Sequence, residues 1–192
     1  MDDLNPEQAR DHLEMVERIL AQSQQRLCAG GEFFVIWGLF SGGATIAAHL
    51  IGQGIAPFGL LWVVAAALVA CIVFSVLRGR ALRGTGGRES LVQREFFNVL
   101  WLTLGLAFVV NVAAYRVFSG IASAAIWSFA ETIVLLYIAM HGNRRAAACG
   151  VLVLASLIVA NVVPSQDAAY VLAAGMVAGY TGFGLTELLV KA

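Results

Sequence analysis

A single carboxylate interrupts the apolar stretch Gly120 to Met140, GIASAAIWSFAETIVLLYIAM, close to its middle: Glu131. At ~1.5 Å rise per residue, about 20 residues cover the ~30 Å hydrocarbon core of a bilayer, so this side chain falls roughly halfway across. A charge there costs from about 2.5 kcal/mol to more than 10, and such residues face a bundle interior, a partner or water. The carboxyl is either protonated and hydrogen-bonded as internal glue, or the working group of a pathway. His49, Asn111 and Asn161 each lie about 15 residues, ~22 Å, from the inner end of their own apolar runs. These three predict a polar layer in the outer third, which Glu131 joins from one or two turns deeper. The plainer role for the asparagines is interhelical hydrogen bonding worth about 1 kcal/mol or less. For His49 the plainer role is a bond to a backbone carbonyl at the outer interface.

Catalytic and cofactor chemistries find less support. A haem between helices needs two axial ligands at one depth, whereas His49 and His141 fall at opposite faces and His12 lies outside the apolar runs. No HExxH or clustered metal-ligand pattern occurs. Ser41, in Phe-Ser-Gly-Gly, lacks the GxSG of intramembrane serine proteases, and His49 is two turns along the same run. Cys28, Cys71 and Cys149 form no CxxC pair and read as reduced, inert thiols. No catalytic, cofactor or metal residue is assigned, and an enzyme ranks behind two other readings.

The elements that must position these groups follow from composition. The chain of 192 residues is 60% hydrophobic and 12% charged, about half the charge of an ordinary soluble domain. Formal net charge is zero, which gives no nucleic-acid footprint. Long apolar runs, some such as Phe33 to Ile51 and Gly59 to Leu77 free of any charge, mark six spans, about 33–52, 57–77, 96–118, 120–140, 146–163 and 168–190. The second is almost purely apolar and is expected to be the most lipid-exposed. The first apolar run begins only at residue 33 and follows a charged helix, so it is expected to stay in the mature protein rather than be cleaved as a signal peptide. Arginine and lysine set the orientation: with the N-terminus inside, eleven fall on the inner side and only Arg116 near the outer one. Glu32 and Glu187 sit at the inner interface, where ion pairs with Arg26, Arg94 or Arg145 are expected. The fold expected is all-α: a polytopic membrane protein of six transmembrane helices in three hairpins over residues 32–192, both termini cytoplasmic.

Residues 1–31 supply an amphipathic cytoplasmic helix and a Gly30-Gly31 hinge. Asn5-Pro6-Glu7-Gln8 reads as a helix start, and Leu13, Val16, Leu20 and Leu27 form an a/d stripe. Six carboxylates against three arginines leave this segment at minus three, which disfavours anionic lipid and favours its own bundle, a second copy or a cytoplasmic protein partner. Gly38 with Gly42, and Gly175 with Gly179, have the GxxxG spacing that admits a close helix neighbour and makes a homo-oligomer reasonable. Glu32-Phe-Phe-Val-Ile-Trp37 is echoed by Glu95-Phe-Phe-Asn-Val-Leu-Trp101, a weak parallel repeat.

Leu13-Glu-Met-Val-Glu-Arg-Ile-Leu20, Arg26 and the Phe-Phe-Val-Ile-Trp37-Gly38 opening of span one resemble a group of small, uncharacterised bacterial multipass membrane proteins that share an N-terminal charged helix feeding a Trp-Gly-containing first span. The resemblance covers about 35 residues. It implies the bacterial cytoplasmic membrane and supplies no activity. Two functions remain. The first is a non-enzymatic scaffold or regulatory protein acting through its N-terminal helix or self-association. The second is a small transporter or channel for a proton, cation or small polar solute at Glu131, Asn111, Asn161 and His49.

Overall fold

The computed structural model describes residues 14–16, 30–84, 91–113 and 120–190, and every regular element among them is helical. Of the N-terminal stripe, only Val16 lies within the described residues, in a helical stretch and half exposed, whereas Leu13, Leu20 and Leu27 lie outside them. Six helices follow: α1 Gly31–Gly52, α2 Leu60–Gly84, α3 Leu91–Ala113, α4 Ile121–Met140, α5 Arg144–Ala160 and α6 Ser165–Leu189.

Five of these, all but α5, are long and apolar enough to cross a membrane. The sequence pattern placed a span at residues 146–163; the helix instead closes at Ala160, and Asn161 to Val163 turn before Pro164. The proline disfavours helical backbone in the residue before it, so the apolar run outlasts the helix. At 17 residues, α5 reaches ~26 Å, short of the ~30 Å core. Its start is well defined. Asn143 Oδ1 accepts from the backbone N–H of Arg145 at 3.1 Å and of Ala146 at 3.2 Å, satisfying two of the amides that a helix start leaves open. Gly142, at φ +90°, makes the reversal from α4, a conformation that L side chains rarely adopt.

Burial separates the helices into centre and rim. In the most apolar stretch of each, 56% of residues are buried in α6, 39% in α4 and 22% in α1, against 6% in both α2 and α3. The helix α6 packs along α1 and α5, and α5 along α4, while α2 rests on α1 and α3 on α4. Phe34, Val134, Leu135, Ile138, Val153, Tyr180 and Phe183 fill the main core. A smaller cluster joins Ala160, Ala168 and Leu172.

Glycine allows the backbones to close on one another. A Cβ on Gly38 would stand 2.7 Å from the backbone nitrogen of Thr181, and one on Gly31 2.7 Å from the carbonyl of Gly184. Gly42 faces Val177, Gly175 faces Ser156 and Gly179 faces Val153. The GxxxG faces that the sequence offered to a second copy are thus occupied within the chain, α1 on α6 and α6 on α5. Opposite Gly38 and Gly42, α6 loosens into a π segment, Val177–Thr181, a distortion often found at functional sites.

Candidate functional site

Three helices bring polar groups close together: Glu131 in α4, Ser41 in α1 and Tyr180 in α6. The antiparallel helices α1 and α6 set Gly31 against Gly184 and Gly38 against Tyr180 and Thr181, so Ser41 lies about one turn from the level of Tyr180. At the same end of the bundle Asn143 Nδ2 donates to Glu187 Oε1 at 3.0 Å. Glu131 is 3% exposed, Tyr180 4% and Ser128, one turn along α4, fully buried.

The hydrogen bonding within this cluster is incomplete. The Ser41 hydroxyl and the Tyr180 phenol both lie near the Glu131 carboxyl. Ser41 Oγ also donates to the Trp37 carbonyl at 2.7 Å. Glu131 Oε2, Ser128 Oγ and Tyr180 Oη have no partner. Buried polar atoms are nearly always paired, and each exception needs an explanation. Leaving one unsatisfied costs about 1–3 kcal/mol. Around the cluster the packing is apolar: Phe34 meets Tyr180 with ring centroids 5.3 Å apart and Phe183 at 4.8 Å.

The other residues of the expected polar layer lie elsewhere. The Ser123 hydroxyl donates to Asn111 Oδ1, while Asn111 Nδ2 donates to the Ala107 carbonyl at 2.9 Å, tying α3 to α4. Asn161 Nδ2 donates to Leu157 O at 2.7 Å and borders an apolar recess of about 520 Å³ with Ile126, Phe129 and Leu172. His49 Nε2 pairs with Gln53 Nε2 at 2.9 Å, and its ring meets Tyr170 edge-on at 5.3 Å. Each therefore has a local partner, and none is hydrogen-bonded to Glu131 among the described residues. Gln53, not a backbone carbonyl, is the partner of His49.

Sequence reasoning missed Ser128 and Tyr180, and weighed Ser41 only as a nucleophile. Counting residues from the inner end of each span would have put Ser41 and Tyr180 level with Glu131; which face of each helix they occupy is a property of the packing. Near the start of α1, Glu32 pairs with Arg78, Oε2 to Nε at 2.6 Å and Oε1 to Nη2 at 2.9 Å, where the sequence suggested Arg26, Arg94 or Arg145; Arg26 and the Arg94 side chain lie outside the described residues. No group of three or more His, Cys, Asp or Glu side chains gathers among the described residues.

No protein-family model matches the chain, and comparisons with curated proteins and with solved structures give no significant match. The class follows from the architecture alone: an all-helical bundle with five helices apolar enough to span a membrane, closed around a buried carboxyl.

Proposed function

We propose that this chain is a six-span protein of the bacterial cytoplasmic membrane with both termini inside, and that it works as a small transporter or channel whose central group is Glu131. The arginine distribution supports the orientation. For the sixth crossing, the support is the position of α5, flanked by the longer α4 and α6 and opened by Arg144 and Arg145. A short apolar helix is accommodated by local bilayer thinning at modest cost. Intramembrane carboxyls mark proton relays and ion paths. The observation that carries the functional reading is the enclosure of Glu131 with two unpartnered hydroxyls at mid-depth. Purified protein in liposomes is expected to conduct a proton, cation or small polar solute, and Glu131→Gln to abolish that flux while the protein elutes and melts as wild type. Equal flux in both proteins refutes it.

A second reading, the non-enzymatic scaffold, draws on the N-terminal segment. Val16 of the stripe is 52% exposed, so this position has apolar surface to offer a second copy or a cytoplasmic protein. Deleting residues 1–28 then changes the oligomeric state measured by light scattering in detergent. An unchanged mass, with flux retained, leaves the transport reading alone.

A further inference from the structure

We propose that the end of α6, Gly182–Leu189, is a gate: it swings on the π segment Val177–Thr181, is latched shut by the Asn143–Glu187 hydrogen bond, and opens the route to Glu131 from the end of the bundle where α1 begins. The route rests on the transport reading above; the movement rests on how α6 is built and held.

The joint shows in both backbone and sequence. Sharp bends in helices occur at π turns and at glycines, and α6 has the two together, the π segment closing at Thr181 with Gly182 directly after it. Packing accounts for the neighbouring glycines. A Cβ on Gly175 would strike the Ser156 side chain, one on Gly179 the Val153 side chain, and one on Gly184 the Gly31 carbonyl. A Cβ on Gly182 would meet nothing within 4 Å. Alanine would fit there and hold the helix better, so what glycine supplies at this position is backbone freedom.

The helix is held differently on the two sides of the joint. Before it, Ala168, Ala169, Leu172, Ala173 and Met176 are buried, and the Thr45 hydroxyl bonds Met176 Sδ at 3.5 Å. Beyond it only Phe183, Gly184 and Glu187 are buried. Among the described residues, the one side-chain hydrogen bond that ties this end to another element runs from Asn143 Nδ2 to Glu187 Oε1 at 3.0 Å. At the joint itself the Thr181 hydroxyl reaches the Val35 carbonyl only at 3.3 Å, longer than a usual O–H···O bond. The facing surface of α1 is smooth, because Gly38 and Gly42 set backbone rather than side chains against Thr181 and Val177. The π turn thus has no side chain of α1 to clear at these two positions. Phe183 travels with the end of α6, and its ring stands edge-on to Phe34 at 4.8 Å. Phe34 also packs on Tyr180 at 5.3 Å, and Tyr180 lies near the Glu131 carboxyl. Drawing Phe183 off Phe34 therefore opens the core from this end toward Glu131.

The test uses the full chain with Cys28, Cys71 and Cys149 replaced by alanine. Spin labels on exposed Met140 and Leu189 read the gated end, and labels on exposed Ile55 and Val162 the opposite end. Pulsed electron resonance in lipid nanodiscs is expected to give two distances for the first pair and one for the second. Asn143→Asp keeps the cap acceptor of α5 but loses the donor to Glu187, and is expected to enrich the longer distance several-fold. Deleting the exposed Ala178 takes one residue out of the wide turn. That deletion, or Gly182→Ala should the deletion not fold, is expected to suppress the longer distance and slow the Glu131-dependent flux several-fold. A single distance for the first pair in both wild type and Asn143→Asp overturns the inference. Broadening of both pairs together in Asn143→Asp, the sign of general loosening, also overturns it. Glu131-dependent flux with a fixed first distance leaves the pathway standing without a gate. Movement with no Glu131-dependent flux removes the transport reading and with it the gate, leaving a bare hinge.

Discussion

At the scale of single residues, the difference between glue and working group is a difference in what substitution costs. Glutamine preserves the volume of Glu131 and most of its hydrogen-bonding capacity, so a carboxyl kept for its chemistry is replaced with little effect on folding. Glu131→Gln is expected to change stability by no more than about 1 kcal/mol, the scale of interhelical hydrogen bonds in membranes, as read by thermal unfolding in detergent. A loss of several kcal/mol would mark the group as structural. Ser41→Ala removes the donor to the Trp37 carbonyl and a hydroxyl near the carboxyl; its expected cost is likewise about 1 kcal/mol. The Trp37 indole is held separately, donating from Nε1 to Ser75 Oγ at 3.0 Å, so α2 should stay in place in this variant.

Among the elements, α6 is the one whose surroundings most constrain its sequence. Its glycines meet α5, and its π segment meets the glycines of α1. Gly38→Val drives a branched side chain into the backbone at Thr181 and is expected to destabilise by about 1–3 kcal/mol, the usual cost of overpacking. Gly43, with nothing within 4 Å of its Cβ position, is the control. Gly43→Ala should be neutral or gain up to about 1 kcal/mol from helix propensity, and equal losses at both positions would refute the close approach of α1 to α6. Asn143 serves two elements at once, capping α5 and bonding Glu187 at the end of α6. Asn143→Ala is expected to cost about 0.5–2 kcal/mol for the cap, and Asn143→Asp, which keeps the cap acceptor but loses the amide donor, to recover only part of it in the same melt.

For the whole molecule, the rim matters as much as the centre. Among the described side chains, only Cys71 is buried in α2 and only Ala107 in α3, which leaves two apolar helices facing outward. The Glu32–Arg78 pair that links α1 to α2 is more than a third exposed on both sides. Such pairs contribute roughly 0–1 kcal/mol, so Glu32→Gln should shift the melting point little. Orientation has a sharper test: a cysteine introduced at Gln53, in the turn after α1, is expected to react with membrane-impermeant maleimide added outside sealed cells, and one at Gly142 only after lysis. The reverse pattern would invert the protein and leave the arginine count without meaning.

The all-helical class and the limits of several helices were legible because they depend on local hydropathy. Phe33 to Gly52 and Gly120 to Met140 reappear as helices within a few residues, since an apolar run of that length has few other ways to satisfy its backbone out of water. The end of α5 was misjudged for a local reason, a proline effect overriding hydropathy at Val163. Glu131 stood out by chemistry alone, as the lone carboxylate in its run. Its companions did not. Depth along a span can be counted from sequence, whereas the face a residue presents, and which helix lies there, depend on how the six rods assemble. Hence His49, Asn111 and Asn161 found partners of their own, while Ser41, Ser128 and Tyr180 turned inward around the carboxyl. Apolar length sets the rods; only their packing, through glycines that let α6 lie against α1 and α5, decides which polar atoms meet.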